Sequence, residues 1–128
     1  MTTLEHLPAQ NQLEIQKIIQ IILANSKIES IYLFGSFARG EQVSDKYKEG
    51  HITYEYKSDL DVLAIAANEK LAKDPTVWAN IEKLIATDPD IKTPVSLIVD
   101  SIDFINSKIL EGNYFYCDIK KEGIVLFD

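Results

Sequence analysis

An α/β (α+β) domain of two layers, a short mixed β-sheet with helices packed mainly on one face, is predicted by three observations. Short apolar runs at Ile31-Tyr32-Leu33-Phe34, Asp59 to Ala66 and Val95 to Val99 read as buried strands. Segments with apolar residues three and four apart alternate with them, and no repeat, low-complexity tract or linker interrupts the sequence. With 128 residues, 46% hydrophobic and 26% charged, the chain has the size and composition of one globular domain over 1–128.

Each element has a local reason. Ile15, Ile18, Ile19 and Ile22 make one apolar stripe on a helix expected from about Pro8 to about Asn25. Ile31 to Phe34 is too short and too continuously apolar for a surface helix. It is expected to be a buried strand delivering a Gly35-Ser36 turn, with a short helix starting at Ser36. From 41 to 58 the sequence turns polar, with Ile52, Tyr54 and Tyr56 alternating near its end, and a surface insertion forming a hairpin is expected. Asp59 to Ala66 is mostly apolar after Asp61, as in a strand buried on both faces. Asp74-Pro75 reads as an N-cap with proline at the first helical position; Val77, Trp78, Ile81, Leu84 and Ile85 give that helix, to about Thr87, one apolar face. Val95 to Val99 is the third strand, and Ser101 caps a helix carrying Ile102, Ile105 and Ile109 that ends at Gly112. Tyr114 to Ile119 suits a short helix before a Glu122-Gly123 turn and a closing strand, Ile124 to Phe127.

Composition narrows the function classes. Thirteen basic against twenty acidic residues give a formal charge of −7, which disfavours wrapping a long nucleic acid, because polyanion binding relies on clustered Lys and Arg. A single nucleotide carrying its own magnesium remains compatible. The one cysteine, Cys117, allows no intramolecular disulfide, and neither a leader-like segment nor a membrane-length apolar run is seen, so a cytoplasmic protein without membrane contact is expected.

The residues able to carry chemistry sit at two strand ends. Asp59 and Asp61, two apart in a strand, project to one face with backbone origins roughly 6.5 to 7 Å apart. Such a pair can share a hard cation, and magnesium is usually held by one or two carboxylates plus substrate phosphates. Gly35 lets the backbone approach a triphosphate, and the Ser36 and Phe37 amides at a helix start make an anion site. The Ser36 hydroxyl adds a hydrogen bond, and Arg39, one turn later, can pair with phosphate. Taken singly, a Gly-Ser turn is usually only a turn, Asp-x-Asp is usually a solvated strand mouth, and Arg39 beside Glu41 equally suits a solvated ion pair. The ordered combination is what points to a nucleotide. His51 reads as a surface residue and His6 as uninformative. Trp78 and the isoleucine stripes read as core, and Cys117 as a small buried or half-buried residue. Tyr54, Tyr56, Tyr114 and Tyr116 read as packing residues rather than base-stacking ones.

The run Leu33-Phe34-Gly35-Ser36-Phe37-Ala38-Arg39-Gly40, followed by Ser58-Asp59-Leu60-Asp61-Val62-Leu63, resembles the signature of the DNA polymerase β-type nucleotidyltransferase superfamily. Within it the chain is most similar to minimal nucleotidyltransferases, small prokaryotic proteins that pair with HEPN domains. The similarity runs through nearly the whole chain to Lys121-Glu122-Gly123-Ile124-Val125-Leu126. The resemblance implies the two-layer nucleotidyltransferase fold and transfer of a nucleoside monophosphate from an NTP to a hydroxyl, with pyrophosphate leaving. Gly35 and Ser36 would hold the triphosphate, and Asp59 and Asp61 would hold Mg2+. Two features depart from the family. The 22 residues between Ser36 and Asp59 make an insertion beside the site. The third carboxylate, which the family places near the start of the third strand, falls on Ser96 here; Asp100 has the right parity but lies about 13 Å farther along a strand.

The expected function is magnesium-dependent transfer of AMP from ATP to a protein or other macromolecular hydroxyl, with a HEPN-domain protein as partner. An alternative is a catalytically reduced nucleotide-binding module that regulates such a partner, motivated by Ser96 and by a chain that stops after Ile124 to Phe127. Modification of a small-molecule antibiotic is a third reading, disfavoured by the little room left for an acceptor domain.

Overall fold

A computed structural model describes residues 4–42, 44–49 and 52–128, with side chains described in 4–42 and 58–128. His51, and the side chains of Ile52, Tyr54 and Tyr56, lie outside the described parts. The chain runs α1 (Ala9–Asn25), β1 (Ile28–Phe34), α2 (Gly35–Arg39), β2 (Ser44–Glu49), β3 (Ile52–Lys57) and β4 (Leu60–Ala66). It continues with α3 (Glu69–Ala72), α4 (Pro75–Thr87), β5 (Val95–Ser101), α5 (Ile102–Leu110), α6 (Tyr114–Glu122) and β6 (Ile124–Phe127).

Four strands form a mixed sheet in the order β5-β4-β1-β6. β1 runs antiparallel to both neighbours, and β5 lies parallel to β4 after the crossover through α3 and α4. β2 and β3 pair with each other as a separate two-stranded sheet, the hairpin expected within 41–58.

Side-chain alternation divides the sheet's faces. Ile31 and Leu33 of β1, Val62 and Ala64 of β4 and Val95, Leu97 and Val99 of β5 turn toward α1 and α4, where Ile15, Ile18, Ile22, Trp78, Ile81 and Ile85 complete the main core. Leu84, expected in that apolar face, is 38% exposed. The opposite face carries a smaller cluster in which Leu63 and Ile65 meet Ile105 of α5 and Ile119 of α6. The main helical layer thus lies on one face, and α5 and α6 add a second, thinner one.

The starts of α4, α5 and α6 follow side-chain caps. Asp74 accepts from the Thr76 and Val77 amides with Pro75 next, Ser101 accepts from Phe104, and Asn113 from Phe115 and Tyr116. No helix among the described residues is long and apolar enough to cross a membrane.

Candidate active site

The turn joining β1 to α2 depends on Gly35. Its φ of +75° lies in the left-handed region, and a Cβ built there would overlap Asp61 Oδ2. The missing side chain lets the chain reverse from strand into helix, and it leaves room for the Asp61 carboxylate of the adjacent strand to stand against the turn. Phe37, buried in the main core, anchors α2 from below. The half-buried Ser36 lies in its first turn, and its carbonyl accepts from the Glu41 amide at 2.8 Å.

Asp61 is the second residue of β4, paired with Phe34 of β1 on one side and Ser96 of β5 on the other. It shares the parity of Leu63 and Ile65, so it belongs to the face carrying the smaller cluster. Asp59 stands just before β4 and is exposed, so the two-apart strand geometry expected of the pair applies in full only to Asp61. The two carboxylates still sense each other. Burial first, and then the negative charge of Asp59, push the Asp61 carboxyl above its ordinary range, against the pull of Arg39. A half-buried carboxylate raised by a like charge is one that a cation would relieve. The donors are hard oxygens, which fit magnesium, and Asp59 and Asp61 are the residues that could hold it. Among the described residues, no three His, Cys, Asp or Glu side chains converge on one point.

Arg39 ends α2 with its Nε 3.1 Å from Glu41 Oε2 and a terminal nitrogen 4.0 Å from Glu122. The solvated ion pair offered as its alternative role is therefore formed, and any phosphate contact would exchange these partners. Register assigns Ser96, not a carboxylate, to the position beside Asp61. Asp100 pairs with Ile65 farther along the strand and accepts the Tyr116 hydroxyl at 2.6 Å. Burial, together with that carboxylate, pushes the Tyr116 phenol up to about 12. Asp100 is thus occupied in seating α6.

A cavity of about 230 Å³ opens between the turn and α6, walled by Phe34, Gly35, Arg39 and Phe115, with Asp118 and Glu122 on the helix. Edge-to-face contacts of Phe115 with Phe34 (5.5 Å) and Tyr116 (5.0 Å) fix its ring. A larger hollow, about 540 Å³ between α4 and β5, contains none of the motif residues. Tyr114 is 85% exposed, and Cys117 is half-buried with its Sγ 3.9 Å from the Ile109 carbonyl.

His6 belongs to no motif in the sequence, yet it reaches α2. Its ring Nε2 lies 2.8 Å from the Phe37 carbonyl, a contact across 31 positions that no local pattern announces.

A family model described as "Polymerase beta, Nucleotidyltransferase" matches residues 16–128. No curated protein matches the chain.

Proposed function

The chain belongs to the polymerase β nucleotidyltransferase family, and from that premise we propose that it is a magnesium-dependent enzyme moving AMP from ATP to a hydroxyl of a protein or other macromolecule. The observation that carries this reading is the Gly35–Asp61 approach. It puts the turn that this reading assigns to phosphate beside a carboxylate, where a triphosphate and Asp61 would repel each other without a cation between them.

In this reading the Ser36 and Phe37 amides and the Ser36 hydroxyl hold the phosphates, Arg39 adds a phosphate contact, and Asp59 and Asp61 hold magnesium. The ion, when bound, supplies charge neutralisation at the phosphoryl group. The acceptor oxygen forms a bond to the α-phosphorus, the bond from that phosphorus to the bridging oxygen breaks, pyrophosphate leaves with the electron pair, and the hydroxyl proton passes to water. Asp61→Asn should abolish transfer; an authentic activity unchanged by it would sink the assignment.

The binding step is tested by melting the wild type and Asp59→Asn/Asp61→Asn with ATP, magnesium, and both. A ligand at about 100 times its dissociation constant adds about 2.7 kcal/mol. The expected result is a shift that needs both components and disappears in the double variant; no shift at saturation would defeat the metal–nucleotide reading.

Ser96 beside Asp61 favours one second reading, a nucleotide-binding module without turnover that regulates a HEPN-domain partner. Mg·ATP binding with no transfer to any acceptor supports it, and aspartate-dependent transfer rules it out.

A further inference from the structure

His6 precedes the stretch that matches the family, residues 16–128, yet it touches the helix on which the nucleotide reading depends. A carbonyl can only accept, so the 2.8 Å contact with Phe37 requires a proton on Nε2. α2 has five residues, too few for internal hydrogen bonds to fix its orientation, so its tertiary ties decide where its first amides point. One tie is the buried Phe37 ring; the His6 bond is another, made to the carbonyl of the same residue. Gly40 closes the helix at φ +72°, and a Cβ there would stand 3.5 Å from His6 Cδ2, so the imidazole lies alongside the cap. The segment carrying His6 is itself held. Leu7 is buried in the main core with Leu4 packed against it, the Leu7 amide donates to the Leu4 carbonyl at 3.0 Å, and the Gln12 side chain donates to the Leu7 carbonyl at 2.8 Å.

We propose that His6 is a positioning residue: through the Phe37 carbonyl, an anchored N-terminal strap sets the pitch of α2 and so aims the Ser36 and Phe37 amides at the substrate's phosphates. This rests on the nucleotide reading above and adds to it a residue from outside the family's matched span.

The test compares the full-length wild type with His6→Ala and His6→Gln, whose amide can still donate. It reads hydrogen exchange over residues 36–41 against β4, calorimetric affinity for Mg·ATP, and melting temperature. A lost hydrogen bond of about 1 kcal/mol corresponds to roughly fivefold in a local equilibrium. His6→Ala should speed exchange in 36–41, and weaken Mg·ATP, by about that factor while β4 stays protected, and His6→Gln should recover most of both. Unchanged exchange in His6→Ala overturns the proposal, as does faster exchange with unaltered affinity. Equal losses in both variants, accompanied by a lower melting temperature, would make the residue merely structural and overturn it too. A wild type that binds no Mg·ATP defeats the nucleotide reading instead, and the exchange comparison then decides separately whether His6 orders the turn.

Discussion

Glu14, on α1, is fully buried and accepts four hydrogen bonds, from the Lys92 amide (2.7 Å), the Thr93 amide and hydroxyl (each 2.8 Å) and the Asn11 side chain (2.9 Å). Burial alone would raise its carboxyl, but the bonds, led by the two backbone amides, outweigh it and leave the group below its ordinary value. A depressed folded-state value means that the contribution is present in full above the unfolded value, about 4.3, and is lost as pH falls through the folded one. Glu14→Gln should cost about 1–3 kcal/mol at neutral pH. It should also flatten the acid limb of a plot of denaturation free energy against pH; parallel limbs for the two proteins would show that the clamp is not the titrating element. Gly35→Ala meets a different obstacle. The left-handed backbone costs an L residue about 1–2 kcal/mol, and the methyl group displaces the Asp61 carboxylate. The melting temperature should fall modestly while the stabilisation by Mg·ATP disappears; retention of the full ligand-induced shift would separate the turn from the binding site.

Among the elements, those with a strong local signal were legible. The stripe in α1, the Asp74-Pro75 start of α4 and the Ser101 cap each state a periodicity or a terminal hydrogen bond within a few residues. What escaped depends on distant partners. β1 begins at Ile28 rather than Ile31 because Ile28 and Ser30 pair with Ala66 and Ile65 of β4 across a register shift at Glu29, which breaks the period-two alternation. β5 extends through Asp100 and Ser101 because β4 pairs with them and Tyr116 satisfies Asp100. α3 is a single turn after Asn68, too short to show a period. For the candidate site, spacing proposes Gly35, Ser36, Asp59 and Asp61; it gives no sign of the His6 bond, nor of the engagement of Arg39 by Glu122 from α6. The hairpin supplies a prediction at this scale. Among the described residues, β2 and β3 share no ladder with the main sheet, and the hairpin leaves the chain just after α2 and rejoins it just before Asp59. Replacing 44–57 by a short Gly-Ser linker should move the melting temperature by only a few degrees, since loop length enters stability weakly. Mg·ATP stabilisation should persist. A collapse of the fold on excision would show that the hairpin is integral to the main sheet's stability.

Across the whole molecule, the sheet separates a large apolar cluster from a small one, and the candidate site lies at the edge of the small one. This division assigns stability mainly to the face under α1 and α4, and leaves α5 and α6 as the layer that can loosen first. Ile18, fully buried in the large cluster, should cost about 2–5 kcal/mol when cut to alanine. Against a usual total of about 5–15 kcal/mol, that loss speeds exchange throughout the sheet together. Ile105→Ala, in the small cluster, should cost nearer the low end, about 2 kcal/mol, and release α5 and α6 before β1 and β4. Phe115, Asp118 and Glu122 ride on α6 beside the turn, so that release should weaken Mg·ATP binding while the sheet remains protected. Site-resolved hydrogen exchange in low denaturant distinguishes the two patterns. Uniform acceleration in both variants would mean that the clusters form one cooperative unit, with the site as stable as the core beneath it.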